Sequence, residues 1–215
     1  MEIEVIPAIL SKQKEDLLHK ILLVKDLVKT IQLDIMDGKF VPNTTVGLND
    51  ILDLPKAQYE FHWMVKDPQN WISKIKGNHI HLVHIETIDS LNQSFDNLLS
   101  LVKGVGGEMG LAINPETPLE NLLPYASRVK RVLVMSVHPG FSGQSYIKEV
   151  ESKIKRLREL HPKLDIEVDG GINLSTAPAA TKAGANILAA ASALFANPDI
   201  KEAISKLKQS ARCSS

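Results

Sequence analysis

"HPKLDIEVDGGINLSTAPAATKAGANILAA", residues 161–190, holds the pattern that decides the fold. "KLDIEVDGG" (163–171) alternates branched apolar and polar residues and reads as a strand that stops at a glycine pair. Residues 174–183 read as a helix, and "ANILAAASAL" (185–194) starts another strand that runs into a small-residue turn. A strand, a helix and a further strand in so short a stretch form a βαβ unit.

Working outward, the same unit recurs along the whole chain. "EIEVIPAIL" (2–10), "TIQLDIM" (30–36), "AQYEFHWMV" (57–65), "HIHLVHI" (79–85), "GEMGLAIN" (107–114) and "RVLVMSV" (131–137) read as the first six strands. Helices are expected over 12–27, 48–53, 68–76, 90–104 and 144–160, and a last one over 199–209. After the fifth strand, Thr117 reads as an N-cap with Pro118 at the first helical position. Eight strand–helix units without large insertions predict an α/β chain folded as a (β/α)8 TIM barrel. One barrel domain is expected over 1–215, with the tail fraying from about 210. An open doubly wound sheet is the rival, but it needs edge strands, and "PAILSKQK" stands where a dinucleotide-binding G-x-G-x-x-G would follow the first strand.

Composition narrows the function. Lys plus Arg and Asp plus Glu each number 25, so the formal net charge is zero and no basic stripe for nucleic acid is expected. Cys213 is the single cysteine, which excludes an internal disulfide and fits a reducing compartment. "MEIEVIPAIL" is acidic where a signal peptide is basic, and no apolar run reaches membrane-spanning length. A cytoplasmic protein with no membrane partner is the expectation.

In a barrel of this kind chemistry sits at the C-terminal ends of the strands. Side chains repeat every second residue, so Gln32, Asp34 and Met36 share one face of the second strand, His62 and Met64 one face of the third, and Glu167 and Asp169 one face of the seventh. Ile31, Ile35 and Val168 then face the helices. A carboxylate aimed into a barrel is costly unless it is paired. Asp34, His62 and Asp169 would be reconciled by a divalent cation, for which carboxylate and imidazole are suitable ligands. Asp37 in "MDGKF" reads as a turn residue, and His79, His81 and His84 read as ordinary polar residues around a strand. The turns "HPGFSGQS" (138–145) and "DGGIN" (169–173), with Ser192 after the eighth strand, suit an anion held by backbone N–H groups.

"LDIMDGKFVPN", "FHWMV", "INPETPL", "VMSVHPGFSGQSYI" and "EVDGGIN" stand in the order and at the spacing found in ribulose-phosphate 3-epimerases. The chain resembles that family over nearly its whole length. The resemblance implies a metal-dependent epimerase inverting C3 of a ketopentose 5-phosphate, D-ribulose 5-phosphate to D-xylulose 5-phosphate. The reaction would be a two-base proton transfer through an enediolate. It implies Asp34 and Asp169 as catalytic bases, and Gln32, Asp34, His62 and Asp169 around zinc, manganese or iron, with no nucleotide cofactor. Met36, Met64 and Met135 would lie near the reacting carbons. Gly143, Gly170, Gly171 and Ser192 would receive the phosphate of a small phosphorylated sugar. Homo-oligomers, dimers or hexamers, are implied too.

The chain departs from the family pattern in places. Gln32-x-Asp34 replaces His-x-Asp, Pro7-Ala8-Ile9-Leu10 replaces Pro-Ser-Ile-Leu, Ser142 replaces a glycine, and Ala191-Ser192 replaces Gly-Ser. Gln32 offers a carbonyl oxygen that is a weaker donor to zinc than imidazole, so weaker metal binding or a changed metal preference is expected. Two alternatives stay open: an epimerase or isomerase of another phosphosugar such as a hexulose 6-phosphate, and an inactive barrel that binds phosphosugars or regulates.

Overall fold

A computed structural model describes residues 2–88 and 94–212. Its strands are β1 (Glu4–Ile9), β2 (Thr30–Met36), β3 (Gln58–Met64), β4 (Ile80–His84), β5 (Glu108–Ile113), β6 (Arg131–Met135), β7 (Asp165–Asp169) and β8 (Ile187–Ala190). Each pairs in parallel with the next, and β8 closes on β1. Closure leaves no sheet edge, so the fold is the (β/α)8 barrel and not an open sheet. The helices are α1 (Lys14–Val24), α2 (Leu48–Ile51), α3 (Pro68–Ile72), α4 (Phe95–Gly104), α5 (Val150–Leu160), α6 (Ala177–Ala183), α7 (Ser192–Phe195) and α8 (Ile200–Arg212).

Several connections differ from the sequence reading. Among the described residues no α-helix lies between β5 and β6. Two 3-10 helices, Leu119–Asn121 and Leu123–Arg128, take its place. Pro124 sits inside this run and has no backbone N–H to donate, which breaks the α-helical ladder. The helix expected from residue 144 begins at Val150, because the glycine-containing turn after β6 stays irregular to that point. In α4, Ser94 is the cap and accepts from the Asn97 N–H. The expected earlier start falls partly on residues 89–93, outside the described residues. α8 runs to Arg212, three residues past the expected end, with Ala211 buried against the core.

Strand alternation builds two apolar shells. Outward residues such as Ile31, Ile35, Trp63, Val134 and Val168 pack against helix residues including Leu17, Leu98, Ile154 and Leu207. Inside the barrel, Ile80, Leu82, Ala112, Leu133 and Met135 form a smaller cluster.

The lower interior carries charge. Arg131 reaches from β6 and donates to Glu60 Oε2 of β3 at 2.8 Å and to Glu167 Oε2 of β7 at 3.1 Å. Gly110 makes room for it, since a Cβ there would collide with Leu82 and lie 3.3 Å from Arg131 Cγ. Glu60 and Glu167 are fully buried. Burial pushes both carboxyls up. The charge of Glu60 adds to the rise at Glu167, against the pull of Arg131. One cation between two buried acids therefore favours a proton shared between them.

That proton makes stability depend on pH. A carboxyl whose folded-state pKa lies above its ordinary 4.5 keeps a proton that the unfolded chain releases, so stability falls as pH rises above that value. Glu167→Gln substitutes a neutral isostere for one acid of the pair. It is expected to stay within about 1 kcal/mol of the parent and to flatten this fall. Arg131→Met strands two buried acids and is expected to lose about 3–5 kcal/mol. Urea unfolding across a pH series measures both.

Candidate metal and active site

The site rests on register. β2 and β3 pair with Asp34 opposite His62 and Met36 opposite Met64, and β6 and β7 pair with Met135 opposite Asp169. Each pair shares the inward face near the C-terminal end of its strands. Ligand atoms of Asp34, His62 and Asp169 all lie within 4.8 Å of one another. The trio chosen from alternation is therefore a physical cluster.

Gln32, one inward position below Asp34, ties the cluster together. Its Nε2 donates to Asp34 Oδ1 at 2.9 Å and to Asp169 Oδ2 at 2.7 Å. Its Oε1 is buried without a hydrogen-bond partner among the described residues. Leaving a buried carbonyl unmet costs about 1–3 kcal/mol, so this oxygen is a group awaiting a partner. A half-turn of the amide exchanges Oε1 and Nε2 and turns the oxygen toward the carboxylates' common centre. Carboxylate, imidazole and amide oxygen together fit a divalent cation.

Electrostatics is severe at this depth. His62 Nδ1 lies 3.0 Å from Asp34 Oδ1 and 3.7 Å from Asp169 Oδ2. Burial opposes a charge on His62, but the hydrogen bond and charge of Asp34, with Asp169 behind it, raise its pKa overall. Burial also pushes Asp169 up, and the charge of Asp34 adds to the rise. His62 and the Gln32 hydrogen bond pull the other way, and the carboxyl settles at about 7.

Above the cluster opens a cavity of ≈ 350 Å³. Asp34 and Asp169 line it together with Met36, Met64 and Met135. Gly143, Gly170, Gly171 and Ser192 line the same cavity, so the residues assigned from sequence to carbon skeleton and phosphate share one space. Ser136 shapes the glycine turn: its backbone N–H and its hydroxyl both donate to the Asp169 carbonyl, and the hydroxyl also bonds the Gly170 carbonyl. Gly170 has φ +118°, and a Cβ there would lie 2.5 Å from Val137. Ala8 is buried opposite Gln32, and the β1 side of the cavity is lined by Leu10. Ala8 is not among the residues that line the cavity.

The loop after β2 leans over this mouth. Val41 packs with Met36 and Met64, the Phe40 ring sits tilted against the His84 ring at 4.8 Å between centroids, and Asn43 donates to the Gly140 carbonyl at 2.6 Å. Asp37 is the expected turn residue, accepting the N–H groups of Lys39, Phe40 and Lys66.

Reading His79, His81 and His84 as a set missed His84. His81 faces outward and accepts from Trp63 Nε1 at 3.1 Å. His84 faces inward, and its Nε2 is 2.9 Å from His62 Nε2. The signal was available, since Ile80, Leu82 and His84 share one parity on β4.

The Ribulose-phosphate 3 epimerase family matches residues 4–195. The chain belongs to the ribulose-phosphate 3-epimerase family. It is 36% identical to the Bacillus subtilis ribulose-phosphate 3-epimerase, covering 97% of this chain and 99% of that protein. It is 38% identical to the cytoplasmic isoform of that enzyme from rice, Oryza sativa subsp. japonica, over 84% of this chain and 81% of the relative. It is 36% identical to the Eremothecium gossypii ribulose-phosphate 3-epimerase over 85% and 81%. Among solved structures, 3-hexulose-6-phosphate synthase from Salmonella typhimurium superposes with TM-score 0.67 at 14% identity, over 99% of this chain and all of that one. That likeness shows the shared barrel. Membership of an isomerase family makes this chain an epimerase.

Backbone strain gives a test of the glycine turn. Gly170→Ala is expected to lose about 1–3 kcal/mol and to disturb Asp169, because left-handed backbone and a Val137 clash coincide. Gly143→Ala, at φ +79° with nothing within 4 Å, should lose less. Thermal unfolding of the two variants compares them.

Proposed function

We propose that this chain interconverts D-ribulose 5-phosphate and D-xylulose 5-phosphate by inverting C3, with Asp34 and Asp169 as the two bases. The observation that carries the reading is that these carboxyls, from strands separated by β8 and β1, meet at the floor of one cavity. Inversion needs two acid/base groups on opposite sides of the reacting carbon. One carboxylate takes the C3 proton as the enediolate forms. The other, already protonated, returns a proton to the opposite face. A carboxyl held near 7 suits the protonated partner, and the roles exchange in the reverse direction. Each turnover moves one proton onto one aspartate and one off the other.

Gln32, Asp34, His62 and Asp169 would hold zinc, manganese or iron. When bound, the cation supplies positive charge against the negative charge that develops on the substrate's oxygens. Met36, Met64 and Met135 give an apolar wall to the carbon chain and keep water from the enediolate. The glycine turns at 143, 170 and 171, with Ser192, would receive the phosphate. The cytoplasmic rice relative supports a cytoplasmic setting.

Three substitutions and one treatment test this. Asp34→Asn and Asp169→Asn each remove one base and should lower kcat by about 10²–10⁴-fold in a coupled epimerase assay, with folding unchanged. Chelation should abolish turnover, and zinc, manganese or iron should restore it. Gln32→His should tighten zinc binding, since imidazole is the better donor. Full activity in chelated protein or in both aspartate variants would contradict the reading. Turnover with a hexulose phosphate alone would transfer it to that substrate.

A further inference from the structure

Two-base chemistry at Asp34 and Asp169 leaves a buried relay unused. It starts outside the barrel, where Lys153 of α5 donates to the carbonyls of Asn114, Pro115 and Thr117 at 2.8, 3.0 and 2.7 Å. The turn so held aims the Asn114 N–H at Glu86 Oε1, 2.8 Å away. Glu86 Oε2 lies 3.1 Å from His84 Nδ1. His84 Nε2 lies 2.9 Å from His62 Nε2, and His62 Nδ1 faces Asp34 and Asp169. Both histidines are fully buried, so water cannot settle which nitrogen carries hydrogen.

The geometry points to Glu86 and His84 as positioning residues that fix His62 in the one tautomer able to offer Nδ1 to a divalent cation. This deepens the metal-dependent reading and rests on it. Donor and acceptor counts decide the tautomer. An ionised carboxylate only accepts hydrogen bonds. Glu86 is ionised: burial alone would raise its pKa, but hydrogen bonds from His84, Thr117 and the Asn114 amide hold it down at about 2. His84 Nδ1 therefore carries a hydrogen. A neutral imidazole protonated at Nδ1 accepts at Nε2, so the hydrogen between the two rings belongs to His62 Nε2. His62 Nδ1 faces Asp34 Oδ1 at 3.0 Å, so without a cation it carries a second hydrogen, which a binding cation displaces to take the lone pair while the Nε2–H stays on His84. In the opposite tautomer Nε2 carries no hydrogen, and the Nδ1 hydrogen cannot be displaced unless the hydrogen bond between the two rings is reversed. A second-sphere carboxylate that sets a ligand histidine's tautomer is a general device of metal sites, and here it acts through an intervening histidine.

Glu86→Gln reverses the polarity without changing the shape. The amide oxygen stays with the Asn114 N–H, so the NH2 faces His84 Nδ1, which must then accept. His84 Nε2 becomes the donor, and His62 Nε2 the acceptor. The experiment combines nitrogen-15 NMR of the histidine rings, in zinc-free and zinc-loaded protein, with zinc affinity from chelator competition. In the parent protein, His62 Nε2 is expected to carry a proton in both forms, with Nδ1 shifted by zinc. In Glu86→Gln, zinc affinity is expected to fall about 10–100-fold, while thermal unfolding of the zinc-free protein changes little. A purely structural role for Glu86 would lower thermal stability and leave the ring signals in place. An unprotonated His62 Nε2 in the parent, or zinc binding by Glu86→Gln as tight as the parent's, would overturn the assignment. Failure of the parent to take up zinc, manganese or iron would instead defeat the metal reading, with the zinc-free ring signals still deciding the tautomer.

Discussion

Two carboxylates on strands that do not touch share one amide donor, and the rest of the site is arranged around that contact. Gln32 Nε2 reaches Asp34 and Asp169 at 2.9 and 2.7 Å. Only a closed barrel places β2 and β7 so that residues far apart in the chain meet. The uncharged amide relieves the repulsion between the acids less than a cation would, and its own oxygen stays unmet. Gln32 is thus both the tie between the acids and the polar group readiest to change partners.

Beneath it the barrel interior is layered by strand alternation. Along β3 the inward residues run Glu60, His62, Met64, and along β7 they run Glu167, Asp169. The lowest layer is the Arg131 ion group, the middle one the candidate ligands, and the uppermost the methionine wall. The layers are coupled, because the charge of Asp169 contributes to the raised pKa of Glu60 in the layer below. The outer apolar shell keeps this interior dry, which makes each of these interactions stronger than at a surface.

Much of this layering is legible in the sequence itself. Period-2 alternation sets which way Asp34, His62 and Asp169 point, and repeated strand–helix units imply closure. The glycine turns mark the mouth where the cavity opens. The misses share a cause: they depend on partners distant in sequence. His84 looks ordinary among nearby histidines, since its meaning lies in His62 and Glu86. The Arg131 group goes unread because its acids come from β3 and β7. The α-helix expected after Thr117 fails on a local rule, the proline at 124. The Ala8 substitution stands out in the sequence, but only the three-dimensional arrangement shows that Leu10, and not Ala8, lines the cavity on the β1 side.

Exchange of the C3 proton through two aspartates is the step on which the function turns. Its direct measurement is turnover of ribulose 5-phosphate in deuterium oxide, with the product analysed by NMR. One deuterium is expected at C3 of xylulose 5-phosphate and none at C1. Product formed with the original hydrogen retained at C3, or with deuterium placed at C1 instead, would contradict it.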